Sequence, residues 1–119
     1  MNPLTVERTR SDGYDVLAVD GELDIATAPR MIAALNEALA DMDVPLVVDL
    51  STVLFMDSTG LALLINARRR ALRSGYGFAI VCPEGPIARV FEIADMMESL
   101  RVFPDRESAG VAATQTASA

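Results

Sequence analysis

The chain has 119 residues, of which 51% are hydrophobic and 23% charged, and its formal net charge is −7. It reads as one globular domain with enough apolar residues to build a core, and its charge argues against nucleic acid as a general partner. Histidine and lysine are both absent, all ten basic residues being arginine, which excludes Ser-His-Asp and Cys-His catalysis, the common zinc sites, Schiff bases and a P-loop lysine.

Met1-Asn2-Pro3 lacks the charge and apolar run of a signal peptide. No later segment approaches the roughly 20 apolar residues of a membrane span, so a cytoplasmic protein is expected. Leu4–Thr9 alternates weakly and predicts a first strand, and Ser11-Asp12-Gly13 a turn with glycine at positive φ. Asp15–Asp20 predicts the partner strand of a hairpin, broken by Gly21-Glu22-Leu23-Asp24. Thr27 is the expected N-cap of the first helix, with Pro29 tolerated in its first turn. Met31, Leu35, Ala38, Leu39 and Met42 fall on one face of that helix, and Pro45 closes it.

Leu46–Leu50 is short, β-branched and almost wholly apolar, which predicts a central, covered strand. Asp57-Ser58-Thr59-Gly60 follows as a polar knot, and Leu61, Leu64, Ile65 and Leu72 then mark a second helix, stopped by Ser74-Gly75. Phe78–Cys82 predicts the next buried strand, and Cys82, the lone cysteine, a buried structural thiol in a reducing compartment. Pro83-Glu84-Gly85-Pro86 turns into a third helix with Ile87, Val90, Phe91 and Ala94 on one face. Leu100–Phe103 predicts a short peripheral strand ended by Pro104. Asp105 is a possible cap for a last helix to about Ala113, whose apolar stripe is thin. The expected fold is therefore α/β: a mixed sheet in the order ββαβαβαβ, with a possible C-terminal helix and helices mainly on one face. Residues 1–111 form one domain in this reading, and 112–119 are expected to fray.

The knot at Asp57–Gly60 has a plain reading, a capped helix start with a glycine easing the turn. Its position adds another. Ser58 follows a buried strand and heads a helix, where free N–H groups carry partial positive charge and accept an anion. A nucleophile-elbow esterase would share this geometry, but its glycine pattern and histidine are missing. Asp20, Glu22, Asp24, Asp49 and Asp57 lie near strand ends, as metal-binding carboxylates do in receiver domains, yet the lysine of such domains is absent. Solvated turn carboxylates are the simpler reading of Glu22 and Asp49. A carboxylate hydrolase is an outside alternative, with nothing to set the separation of any pair. Arg68, Arg69, Arg70 and Arg73 complement the dipole of the second helix, and a contact patch for an acidic partner is their second reading. Met96 and Met97 serve either the core or a contact surface.

Gly21-Glu-Leu-Asp-Ile-Ala-Thr-Ala-Pro-Arg30, Leu46-Val-Val-Asp-Leu-Ser51 and Phe55-Met-Asp-Ser-Thr-Gly-Leu61 together resemble a STAS domain, in particular the stand-alone bacterial anti-sigma factor antagonists. The resemblance spans roughly residues 4–108. It implies a STAS domain over residues 1–111 and a non-enzymatic regulator. In such systems the unphosphorylated antagonist binds an anti-sigma factor that is also a GHKL-type serine kinase, and so releases a sigma factor. The kinase phosphorylates the serine matching Ser58, with Thr59 the alternative, and a PP2C-like phosphatase restores binding. No cofactor or metal is implied for this chain, since ATP and metal belong to the partners, and neither nucleic acid nor membrane is an expected partner. Asp24, Asp57, Ser58, Thr59 and Gly60 are the implied partner-binding residues. Asp57 is expected to orient the Ser58 hydroxyl, Gly60 to allow close approach, and Asp24 to meet a basic group. A STAS structural subunit of a stress-sensing or lipid-transport complex, with Ser58 a mere cap, is the alternative. Ala94-Asp95-Met96 departs from the small-glycine-leucine turn of many members, a place where aspartate tolerates the left-handed conformation.

Overall fold

The structure is a computed structural model that describes residues 3–116. Nine elements follow in order: β1 (Thr5–Ser11), β2 (Tyr14–Leu23), α1 (Ala28–Ala40), β3 (Leu46–Met56), α2 (Ser58–Arg73), β4 (Phe78–Val81), α3 (Pro86–Ile93), β5 (Val102–Phe103) and α4 (Arg106–Thr116). The strands form one mixed sheet in the order β1-β2-β3-β4-β5. β1 and β2 are antiparallel, and every later pair is parallel. The hairpin turns on Asp12 and Gly13, both at positive φ (23° and 87°), as a two-residue loop between paired Ser11 and Tyr14 requires.

Alternation along the central strands sends side chains to two cores. Leu17, Val19, Leu46, Val48, Leu50, Phe78 and Ile80 pack with Met31 and Leu35 of α1, Leu64 of α2 and Phe91 of α3. Val16, Val47, Ala79 and Val81 face the other way, towards Ala109 and Ala113 of α4. The expectation that helices crowd one face thus holds for α1–α3, while α4 covers the second face. Its thin apolar stripe suffices because its contacts are small. A Cβ added at Gly110 would lie 2.6 Å from the Tyr14 ring, so glycine lets that ring press against the helix backbone.

Several boundaries differ from expectation. β2 runs through Gly21 (φ 109°) to Leu23 instead of breaking at Gly21. β3 continues six residues past Leu50, to Met56. Asp15–Leu23 lies opposite Leu46–Met56, so β3 carries two extra residues, absorbed as irregularities at Ala18/Asp20 and Gly21/Glu22. On α3, Ala88 is buried in the place expected of Ala94, which is exposed. The peripheral strand shortens to Val102–Phe103. The stretch expected to fray from Ala112 stays helical to Thr116 with Ala112 and Ala113 buried, and residues 117–119 lie outside the described residues.

Two helix ends show why their sequences stop there. After α2, Gly75 at φ 86° lets Tyr76 N–H donate to the Ala71 carbonyl and Gly75 N–H to that of Leu72. After α3, Asp95 takes the same left-handed position (φ 57°), with Met96 N–H donating to Phe91 and Asp95 N–H to Glu92. The aspartate therefore closes the turn that glycine makes elsewhere. No helix among the described residues is long and apolar enough to cross a membrane.

Candidate functional site

β3 delivers Met56 into the core and Asp57 to the start of α2. Asp57 is extended (φ −114°, ψ −168°), its N–H donates to the Leu23 carbonyl at 3.4 Å, and its Oδ1 accepts from Thr59 N–H at 2.9 Å. That bond satisfies one of the N–H groups a helix start leaves unpaired. Asp57, and not Ser58, is the N-cap. Its bond to Thr59 also differs from the expected role of orienting the Ser58 hydroxyl.

Ser58 is the first residue of α2, exposed, and its hydroxyl makes no hydrogen bond among the described residues. The first turn holds no acidic side chain. A negative group attached to this hydroxyl would sit at the positive end of the helix dipole. Thr59, the alternative acceptor, is half-buried and lies one position deeper. Gly60 is buried, and a Cβ there would come within 2.6 Å of Met56 Cγ and 2.9 Å of Leu23 Cγ. The glycine thus answers to packing against this chain's own core.

Beside this start stands the loop between β2 and α1. Asp24 Oδ1 accepts from the N–H groups of Ala26 (3.0 Å) and Thr27 (3.1 Å). Thr27 Oγ1 accepts from Asp24 N–H at 3.0 Å and donates to the Glu22 carbonyl at 2.7 Å. Thr27 occupies the expected N-cap position of α1, but its hydroxyl braces the loop rather than capping the helix. Asp24 is likewise used within the loop, which holds Ile25 out at 79% exposure. Pairing of Glu22 with Phe55 and Leu23 with Met56 sets this loop next to Asp57.

Sequence reasoning passed over the apolar side chains here. Leu54 and Phe55 are 62% and 47% exposed, immediately before the Asp57–Gly60 turn. Their signal was present: Val53–Met56 is four apolar residues in a row, and a strand buries only alternate ones on a given face. The extra residue at Leu54 leaves two consecutive side chains facing water.

The remaining acidic residues do not assemble around Ser58. Asp20 is exposed. Asp49, expected to be solvated, is buried on the α4 face, where Arg106 Nε donates to Oδ2 at 2.6 Å and Ser51 Oγ to Oδ1 at 2.5 Å. Burial alone would raise its pKa, but the bonds from Ser51 and Arg106 prevail and hold it below the usual carboxylate range. Among the described residues, no group of three or more His, Cys, Asp or Glu is placed to hold a metal ion. Cys82 is buried, and burial, followed by the charges of Asp49 and Glu92, pushes its thiol up to about 11, leaving it a structural residue.

Comparison with known proteins agrees with this frame. The STAS domain family matches residues 5–109. The chain is 31% identical over 100 residues to the anti-sigma-F factor antagonist RsfB of Mycobacterium tuberculosis, covering 84% of this chain and 81% of that protein. It is 30% identical over 99 residues to the anti-sigma-B factor antagonist of Staphylococcus aureus, covering 83% and 92%. A crystal structure of an anti-sigma factor antagonist from Mycobacterium paratuberculosis superposes with a TM-score of 0.83 at 29% identity, covering 92% and 93%. A mixed sheet with a serine-headed helix after its central strand, matched along nearly the whole chain, shows that the protein belongs to the STAS domain family and is similar within it to the anti-sigma factor antagonists.

Proposed function

We propose that this chain is a non-enzymatic anti-sigma factor antagonist, switched off by phosphorylation at Ser58. Its partner is an anti-sigma factor that doubles as a GHKL-type serine kinase, and a PP2C-like phosphatase reverses the modification. The observation that carries the reading is the exposed Ser58 hydroxyl, free of hydrogen bonds among the described residues and beside a cap that Asp57 already supplies. A serine needed only for capping would occupy the cap. Ile25, Leu54 and Phe55 supply the apolar contact surface around it.

The switch follows from charge. A phosphate adds about −1.5 to −2 charges beside Asp57 at pH 7. The start of α2 accommodates it, because dipole and free N–H groups favour an anion there. A closed interface over the same spot opposes it through desolvation and repulsion, and a penalty of about 3 kcal/mol weakens binding more than a hundredfold. Mixing the chain with its anti-sigma factor and ATP tests the assignment by mass spectrometry. One phosphoryl group on the Ser58 peptide is expected, and none in Ser58→Ala. Labelling on Thr59 would relocate the site, and no labelling would favour a structural STAS subunit.

A further inference from the structure

The far end of α2 carries a feature that this function does not use. Arg68, Arg69, Arg70 and Arg73 crowd its last turns, and among the described residues none of them has a carboxylate within ion-pair distance. Of the other six arginines, Arg8, Arg10 and Arg106 do, and Arg30, Arg89 and Arg101 do not. Arg70 alone of the four is tied down, donating to Asn36 Oδ1 of α1 at 2.6 Å. The helix dipole accounts for Arg70 and Arg73 in the last turn. It does not account for Arg69 set one turn before Arg73, a like-charge pair that repels, in a chain with 17 acidic residues to spend there.

The arginines border apolar surface. A hollow of about 370 Å³ is lined by Asn66, Arg69, Leu72 and Arg73. A smaller hollow sharing Asn66 continues towards Ile32 of α1, which is 41% exposed. We propose that this α1–α2 face is a docking surface for an acidic amphipathic segment of a partner protein, its carboxylates on Arg69 and Arg73 and its apolar side chains over Leu72 and Ile32. Charge complementarity selects the occupant. A membrane or a nucleic acid duplex would spread negative charge over the rest of a chain whose net charge is −7, whereas a narrow segment meets the arginines alone. The apolar floor favours a peptide over a polyanion. Ser58 and Arg73 lie at opposite ends of α2, about 22 Å apart at 1.5 Å per residue, so the surface stays open whether or not Ser58 is occupied.

A fluorescent synthetic amphipathic peptide of leucine and glutamate is titrated into the full chain at low salt, with its lysine counterpart and phosphatidylglycerol vesicles in parallel. The expected result is saturable binding of the glutamate peptide only, with amide shifts at Asn66, Arg69, Leu72 and Arg73 in NMR spectra. R69E/R73E weakens it at least tenfold, and R69Q/R73Q, which spares the helix dipole an added negative charge, weakens it in the same direction. Ser58→Asp leaves it unchanged. Equal binding by the arginine variants, no saturable binding, or binding to vesicles in place of the peptide overturns the proposal. So does a concentration-dependent dimer that R69E/R73E abolishes, which would assign the face to a second copy of this chain.

Discussion

At the scale of single residues, the start of α2 divides its work among neighbours. Asp57 caps, Ser58 stands exposed, and Gly60 makes room for Leu23 and Met56. Gly60→Ala forces a methyl within 2.6 Å of Met56 Cγ and 2.9 Å of Leu23 Cγ, near the roots of both side chains, where neither yields easily. We expect a loss of about 1–3 kcal/mol in urea unfolding. Phe55 is the opposite case, with almost half its surface in water. Phe55→Ala should leave the unfolding midpoint nearly unchanged while weakening anti-sigma factor binding by about tenfold or more, as titration calorimetry would show. A fall in stability without a fall in affinity would place Phe55 in the fold rather than the interface.

Among the elements, legibility tracked how the apolar residues are spaced. Met31, Leu35 and Leu39 on α1 and Leu64 on α2 follow the helical period and are buried as read. β3 was legible only to Leu50, because two extra residues interrupt its alternation and Ser51-Thr52 looks like a turn. Thr52 instead donates its hydroxyl to the Val19 carbonyl and stays in the strand. α4 was faint because alanine and glycine make its inner face, and such residues carry little periodic signal. Ser58 was legible as a helix start after a covered strand. The exposure of Leu54 and Phe55 shows in the sequence only as the unbroken apolar run Val53–Met56, and which of its side chains face water depends on an irregularity that strand pairing reveals. Ile25 stands out because Asp24 and Thr27 brace the loop around it.

For the whole molecule, charge governs stability, and in the proposed function it governs switching as well. Asp15 is buried beside the hairpin turn, where Arg10 and then Arg8 bind it and outweigh the effect of burial, holding its carboxyl below the ordinary 3.8. Asp49 is also held low, by Ser51 and Arg106. A depressed carboxyl stabilises the fold above its unfolded pKa and loses that contribution as pH falls through the folded one. The urea midpoint should therefore be nearly flat from neutral pH to about 5 and drop below about pH 4. Asp15→Asn should lower it at neutral pH and flatten the acid drop, and an unchanged acid limb would remove Asp15 from the account. The proposed switch uses the same physics at an exposed site. The most direct test is the affinity of the chain for its anti-sigma factor before and after stoichiometric phosphorylation at Ser58, with thermal unfolding followed in parallel. An affinity more than a hundredfold weaker and an unchanged melting transition are expected. Equal affinity in the two states, or loss of binding only because the phosphorylated chain unfolds, would contradict the proposed switch.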